Sequence, residues 1–328
     1  MPKIKYIIYM INRDIEMQEF SEKIQLLLEE VWQVIVGQDS LKRDIVIALL
    51  AGGHILLEWA PWLAKTRTVN CFAQALKLDF QRIQFTPDLL PSDLVWAKIY
   101  DPDLKEFSTK KWPIFSNFVL ADEINRAPSK VQSALLESME EKQVTIWDTT
   151  YKLDSPFIVL ATQNPLEQEG TFHLPEAQLD RFLLKTIIEY PTPGEEKKIL
   201  TGALSREEYK IKKILWKKDI SDFKKQIDDI EVSESIFEYI CRIILTSRNN
   251  SLYPQIIYWG SPRASLALMR CSKVYAAMQW RDFVLPEDIK EMAFPVLRHR
   301  IILSYEALAE GITADEMIEK ILWNVKVS

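Results

Sequence analysis

Apolar residues recur along this chain at two spacings, and their alternation organises it. Phe20, Ile24, Leu27, Leu28 and Val31 share one face of a helix over 19–31. A short loop, Val34-Ile35-Val36-Gly37-Gln38, precedes Asp39 and Ser40, either of which is suited to cap a helix through Leu50. Short apolar runs then alternate with helical ones. The pattern predicts a strand over 54–57, a helix over 65–76, a strand over 81–85 and a polar, hairpin-like segment over 99–109. A strand over 118–121 runs into Asp122-Glu123 and is followed by a helix over 129–141, capped by Ser129. A second hairpin over 143–153 and strands over 157–161 and 183–188 complete this half. Strands alternating with helices predict an α/β domain on a parallel five-stranded sheet. After Pro191-Thr192-Pro193-Gly194 the pattern becomes helical alone, over 195–204, 233–247, 263–279 and 286–299, which predicts a small all-α second domain. The expected organisation is an extension at 1–18, an α/β domain at 19–192, a linker at 193–232 and a helical domain at 233–328. The lysine-rich stretch 210–225 reads as a solvated linker face. Met10 and Met17 are alternative starts to Met1.

Glycine is scarce where these turns need it. The chain has 8 Gly and 10 Trp among 328 residues, whereas ordinary usage gives roughly 23 glycines. Most of the tryptophans fall where glycine is physically wanted. Glu58-Trp59-Ala60-Pro61-Trp62-Leu63-Ala64-Lys65-Thr66 follows an apolar run and precedes a helix. With glycine at 59 and 62 it is a phosphate-binding loop of the G-x-x-x-x-G-K-[ST] kind, with Ala64 at the sixth position. Such a loop turns backbone N–H groups onto phosphate oxygens, and two indoles would fill that space. Trp147, before Asp148, stands at a hairpin turn. Trp280 stands at the C′ position of a helix, where φ is positive. Trp112 and Trp259 stand in loops, and Trp32, Trp96, Trp216 and Trp323 where glycine is permissible. A gene that uses UGA for glycine, translated with UGA as tryptophan, gives this distribution. The alternative is genuine tryptophans in a chain whose nucleotide site is reshaped or lost, but such decay would also erode the charged groups, and those are present.

Bulk properties narrow the class. Apolar residues make up 48% and charged residues 27%, as in a globular chain, and the net charge of −6 disfavours binding of nucleic acid through a basic surface. Cys71, Cys241 and Cys271 are isolated, so neither a disulfide framework nor a C-x-x-C metal site is indicated. No apolar run approaches the ~20 residues of a membrane span. A cytoplasmic location is expected.

The chemistry-bearing residues converge on phosphate transfer. Open parallel sheets bind ligands beyond the carboxyl ends of their strands, which brings Lys65 and Asp122 together. Lys65 would meet the β- and γ-phosphates, Thr66 and Asp122 would hold Mg²⁺, and Glu123 would polarise the attacking water. Taken alone, Asp122-Glu123 is an ordinary acidic strand end; Lys65-Thr66 upstream is what makes it a nucleotide site. Asn164, in Thr162-Gln163-Asn164, would orient water or the γ-phosphate, or serve as a turn residue before Pro165. Arg181 would bond a local carboxylate or reach a neighbouring subunit's nucleotide. Arg263, after Ser261-Pro262, would lie on the surface or clamp the γ-phosphate from the second domain.

Taken together, the stretches 34–38, 58–66, 84–93 (QFTPDLLPSD), 120–128 (LADEINRAP), 132–141, 161–170 (ATQNPLEQEG), 174–182 (LPEAQLDRF) and 261–264 resemble the MoxR family of AAA+ ATPases over nearly all of 34–327. The resemblance implies a P-loop AAA+ domain followed by a helical lid. It makes 58–66 (Trp59, Ala60, Pro61, Trp62, Leu63, Ala64, Lys65 and Thr66) the Walker A loop and Asp122-Glu123 Walker B. Asn164 becomes sensor 1, Arg181 the arginine finger and Arg263 sensor 2, with adenine against Val36-Gly37. The 99–109 segment resembles the family's helix-2 insert and 143–153 its pre-sensor hairpin. The sequence departs from the family at Trp59, Trp62, Trp112, Trp147, Trp259 and Trp280. The implied activity is Mg²⁺-dependent ATP hydrolysis by a ring, a hexamer by resemblance, acting as a chaperone on protein complexes with von Willebrand factor A-type partners. Two rivals are a nucleic-acid motor, which basic pore hairpins would mark, and a scaffold with a dead nucleotide site. Lys105, Lys110 and Lys111 are mixed with Asp101, Asp103 and Glu106, which does not favour the motor.

Overall fold

A computed structural model of the chain describes residues 2–59, 65–101, 106–111, 113–146, 149–164, 170–204 and 209–327. They form two compact units. One comprises residues 30–182 and 186–217; the other comprises 1–29, 183–185 and 218–328.

The chain opens on helix α1 (Pro2–Trp32), which extends the 19–31 helix of the sequence pattern toward the N-terminus. The α/β unit then runs through α2 (Asp39–Ala51), β1 (Ile55–Trp59), α3 (Lys65–Ala75), β2 (Phe80–Gln84), α4 (Pro91–Val95), β3 (Trp96–Asp101), β4 (Glu106–Lys111) and β5 (Phe118–Asp122). It continues with α5 (Ser129–Glu141), β6 (Gln143–Ile146), β7 (Thr149–Lys152), β8 (Ile158–Gln163), α6 (Glu176–Leu179), β9 (Leu184–Ile188) and α7 (Pro193–Leu204). The main sheet has five strands in the order β2-β5-β8-β1-β9, and the pairs β2–β5, β5–β8 and β1–β8 are parallel. All five residues of β5 are buried, as are the first five of β8. Strands covered on both faces read as unbroken apolar runs, which is why Phe118-Val119-Leu120-Ala121 was legible as a strand. β2 is mostly exposed, as an edge strand is. One apolar core joins β2, β5 and β8 to α5, with Ile83, Val119, Ala121, Leu135, Leu136, Met139 and Val159 among its members. The two expected hairpins are antiparallel pairs, β3–β4 and β6–β7; their tips lie outside the described residues.

The second unit contains α8 (Lys217–Asp228), α9 (Glu234–Ser247), β10 (Ile256–Tyr258), α10 (Pro262–Met278), α11 (Pro286–Leu297), β11 (Ile302–Leu303), α12 (Tyr305–Ala309) and α13 (Ala314–Asn324). Two features depart from the sequence expectation. The solvated face expected over 210–225 contains the first turns of α8, whose Ile220, Phe223 and Ile227 are buried; charge in the intervening positions masked a helical spacing. Phe223 packs edge-on against Phe20 of α1, with ring centroids 4.7 Å apart. The helical half also holds a two-stranded antiparallel sheet, β10–β11, too short to register as a pattern.

The ends of the helices depart from expectation by one residue. Asp39 and Ser129 are the first residues of α2 and α5 rather than their caps, which are Gln38 and Pro128. Gln38 holds φ 57 and follows Gly37 at φ 66, so the loop before α2 makes a left-handed turn. Trp280 follows the end of α10 with φ 63. Its N–H reaches the Ala277 carbonyl at 3.1 Å, and the Arg281 N–H reaches the Ala276 carbonyl at 3.0 Å.

Candidate functional site

Sheet register sets the ends of three adjacent strands level. Ala121 pairs with Ala161, so Asp122 stands beside Thr162; Glu58 pairs with Gln163, so Trp59 stands beside Asn164. Neighbouring strands are about 4.8 Å apart. The start of the Walker A-like loop, Asn164 and Asp122 therefore share one rim of the sheet. The chain leaves β1 at Trp59 and re-enters at Lys65, the first residue of α3. Residues 60–64, and the side chains of Trp59 and Lys65, lie outside the described residues. Thr66, in the first turn of α3, is half-buried, and Asn164 is buried.

The acidic pair is held by a network that spans three strands. Thr162 on β8 donates its hydroxyl to Oδ1 of Asp122 at 2.8 Å and accepts the backbone N–H of Glu123 at 2.8 Å. Arg82 on β2 donates from Nε, at 3.0 Å, and from its terminal nitrogen, at 2.5 Å, to Oδ2 of Asp122. The same guanidinium donates to Gln84 Oε1 at 2.6 Å, and Gln84 Nε2 donates to Glu123 Oε2 at 2.7 Å. Arg126 Nε also faces Glu123 Oε2, at 3.1 Å. Both oxygens of Asp122 are thus engaged, Oδ1 by Thr162 and Oδ2 by Arg82. Carboxylate and hydroxyl oxygens are the ligand type a hard divalent cation takes, so Asp122 fits Mg²⁺ in ligand type, and direct coordination would require Arg82 to give way. Glu123 itself holds φ 59, a left-handed conformation that costs a non-glycine residue energy and collects at functional sites. Buried Gln132 secures the turn that follows, its Nε2 donating to the carbonyls of Ile124 and Ala127 at 3.2 and 3.1 Å.

The 34–38 loop lies against the α3 side of the unit. Gln38 Oε1 accepts the Thr68 hydroxyl of α3 at 3.4 Å. Lys42 is buried beneath the loop; it donates to the Ile35 carbonyl at 3.3 Å and pairs with Asp39 at 2.9 Å. Burial lowers its pKa, with Asp39 opposing. The first turn of α7 meets the loop from another side, where a Cβ built on Gly37 would collide with the Glu195 carboxylate, its carboxyl carbon only 2.8 Å away.

Arg181 follows the short α6 and is paired with Glu140 of α5, Nε to Oε2 3.4 Å. Arg263 belongs to the other unit, in the first turn of α10, where its N–H donates to the capping hydroxyl of Ser261 at 3.1 Å. Asp122, Glu123 and Asn164 therefore lie at one rim of the sheet, while the 34–38 loop, which holds Val36 and Gly37, lies against α3, whose first turn holds Thr66. Arg82, Gln84, Thr162 and Lys42 were missed as site residues. For Lys42 a signal existed: it falls on the apolar face of α2, in step with Ile45, Val46 and Leu49. For Arg82 and Gln84 only their strand position was legible, because their partners lie about 40 residues downstream.

Five tryptophan side chains are described, and none is buried. Trp32, Trp216, Trp280 and Trp323 are exposed, Trp323 at 87%, and Trp259 is half-buried. Trp32 and Trp216 lie beside the ammonium groups of Lys42 and Lys77, 5.1 and 4.3 Å from their ring centroids.

Known proteins share this arrangement. Residues 54–184 match the ATPase family associated with various cellular activities (AAA), and residues 255–321 match the AAA lid domain. The chain is similar to Chaperone MoxR1 of Mycobacterium tuberculosis, 42% identical over 302 residues that cover 90% of this chain and 80% of that protein. It is 44% identical to the uncharacterized protein YeaC of Bacillus subtilis, over 92% of this chain and 93% of that one. It is 26% identical to Protein MoxR of Methylorubrum extorquens, over 87% and 90%. A 2.00 Å crystal structure of a candidate ATPase from Cytophaga hutchinsonii superposes with a TM-score of 0.92 at 47% identity, covering 98% of this chain and 99% of that one. Family matches in both halves, identity above two-fifths along almost the whole length, and a strand-end acidic pair set level with the α3 loop lead to one conclusion: the chain belongs to the MoxR family of AAA+ ATPases.

Proposed function

We propose that this ATPase is a Mg²⁺-dependent, ring-forming remodeller of protein complexes, and that the residues level with the strand ends carry its hydrolysis. The observation that carries the reading is the fixed pair Asp122-Glu123, held through Thr162 beside the strand that leads into α3. Lys65 and the α3 N-terminus would bind the β- and γ-phosphates, with the helix dipole adding to the attraction. Thr66 and Asp122 would hold Mg²⁺, which when bound offsets phosphate charge. Glu123 would orient and polarise the attacking water, and Asn164 would fix its line of approach. Arg181, released from Glu140, would complete the site of the next subunit in a homo-oligomer, by resemblance a hexamer, and Arg263 would close on the γ-phosphate from the lid. Among the described residues no helix is long and apolar enough to cross a membrane. A role on protein complexes follows the name Chaperone MoxR1 borne by a relative, and a von Willebrand factor A-type partner follows from family resemblance.

The reading requires glycine at 59 and 62, and we propose that the natural protein carries glycine at the ten tryptophan positions. Its support is positional. Trp280 holds a positive φ, and an indole, with a large apolar surface, is ordinarily well covered, yet four of the five described ones are exposed. The codons decide: UGA at all ten supports the reading, and UGG at 59 and 62 overturns it in favour of a nucleotide-dead scaffold.

Function is tested by nucleotide binding and turnover together. Lys65→Ala should abolish ATP binding, and Glu123→Gln should bind ATP and stop turning it over. Tight binding by the first or full turnover by the second would refute the assignment.

A further inference from the structure

Arg82 takes no part in the hydrolytic steps, yet its guanidinium lies on the carboxylate that would meet the cation. Gln84 pairs with Asp122 across the β2–β5 ladder, and Arg82 pairs with Leu120. Residues two apart on a strand share a face, so Arg82 reaches forward from its own pair to the next position on that face, a diagonal that a long side chain can span. It ends on Oδ2 of Asp122 with Nε at 3.0 Å and a terminal nitrogen at 2.5 Å, while Thr162 holds Oδ1. The two partners differ sharply in exposure: the Asp122 side chain is 2% exposed and that of Arg82 46%. A buried carboxylate without a positive partner is costly, so Oδ2 needs one at all times. Arg82 stands on the edge strand β2, half in water, and its charged end can leave for solvent without being stranded.

We propose that Arg82 is a positioning residue that serves Asp122 as a removable counter-charge, holding Oδ2 against a lone divalent cation and giving it up to one that arrives with nucleotide. The inference rests on the reading of Asp122 as a cation ligand and adds what controls access to it. A guanidinium does not deprotonate in a protein, so Arg82 can yield the oxygen only by moving. It cannot stay beside a divalent cation on the same oxygen, because like charges a few ångströms apart repel strongly near a protein. A lone cation must displace a charge-assisted pair with little in return. A cation carried by phosphates brings oxygen ligands of its own, which offsets that cost. Arg82 thereby makes cation binding conditional on nucleotide. Removing the guanidinium should strengthen cation binding by the nucleotide-free chain, which is the opposite of the loss expected if Arg82 only keeps the strand end in shape.

Binding of Mn²⁺, followed by loss of the free-ion EPR signal, should be measured on the full chain without nucleotide. Arg82→Gln should bind it at least about tenfold more tightly than wild type, the worth of one charge-assisted hydrogen-bonded pair. Adding Asp122→Asn to Arg82→Gln should abolish that gain. Arg82→Lys keeps the charge but lacks the fork, so it should fall between wild type and Arg82→Gln, and it decides in the same way if Arg82→Gln does not fold. A variant that binds Mn²⁺ no more tightly than wild type, including no binding by either, overturns the role of Arg82. Asp122 is tested apart from it, by affinity for a non-hydrolysable ATP analogue with and without Mg²⁺. If Asp122→Asn keeps the whole gain from Mg²⁺, Asp122 is not the ligand and the inference falls with that reading. If the gain is lost in Asp122→Asn while Arg82→Gln is no tighter for Mn²⁺, the reading stands and the role of Arg82 alone is overturned. If wild type does not bind the analogue, the nucleotide reading falls, and the Mn²⁺ comparison still decides the role of Arg82.

Discussion

Thr162 joins the two acidic residues through one oxygen, accepting from the Glu123 N–H and donating to Asp122. A residue without the hydroxyl removes the acceptor of the Glu123 N–H and one donor to the Asp122 carboxylate. Thr162→Val, nearly isosteric, should therefore lower turnover on the order of tenfold or more, while ATP binding falls much less, because the loss concerns groups set for the reaction rather than for holding the nucleotide. Measuring kcat beside nucleotide affinity separates these. An equal loss of both would show that Thr162 serves stability alone. Glu123 in the same turn keeps φ 59, and the local strain is offset by the bonds from Thr162 and Gln84, neither of which is adjacent in sequence.

Elements are locked to one another by side chains that a pattern cannot place. His54, fully buried just before β1, accepts the Val159 N–H of β8 on Nδ1 at 3.0 Å, and its Nε2 lies 3.1 Å from the Met139 carbonyl of α5, which makes it the neutral Nε2–H form. Burial pushes its pKa down to about 4, against 6.5 for the free side chain. Between those values the unfolded chain binds more protons than the folded one, so this contribution to stability is complete above pH 6.5 and is lost as pH falls toward 4, on the order of 3 kcal/mol in all. Urea unfolding at pH 7 and pH 5 should show the loss, and His54→Gln should remove that part of the slope; an unchanged slope would contradict the assignment. At the other end of the chain, the left-handed Trp280 costs a non-glycine residue about 1 kcal/mol. Trp280→Gly, in the chain written with tryptophan, should raise stability by roughly that amount in denaturant unfolding. A destabilised variant would mean that the indole holds contacts worth more than the strain.

At the scale of the molecule, the site as proposed is shared between subunits: Arg181, paired with Glu140 within this chain, would act on a neighbour's nucleotide. Arg181→Ala and Glu123→Gln should each stop turnover. Mixed in equal amounts, they should recover about a quarter of wild-type activity, since one composite site in four then has an intact glutamate facing an intact arginine. No recovery on mixing, with each variant still binding ATP, would place Arg181's action within its own subunit. The net charge of −6 gives no general basis for binding a polyanion.

The periodic segments and the short motifs were readable along the chain. Buried central strands such as β5 must be continuously apolar, amphipathic helices such as α5 and α10 must keep one apolar face, and Lys65-Thr66 and Asp122-Glu123 keep fixed places at the ends of elements, so all were legible before any coordinate. The positive φ at Trp280 was legible too, because helix termination is local. How distant strands meet emerged only once the chain was folded. Strand order and register put Thr162 and Arg82 on Asp122, Gln84 on Glu123, and Glu195 over Gly37. Folding also decided that α8, with a charged sequence, buries Ile220, Phe223 and Ile227. The physical reason is range: periodicity and capping are set by neighbours within a few residues along the chain, whereas a hydrogen bond between strands depends on a register that no single segment contains.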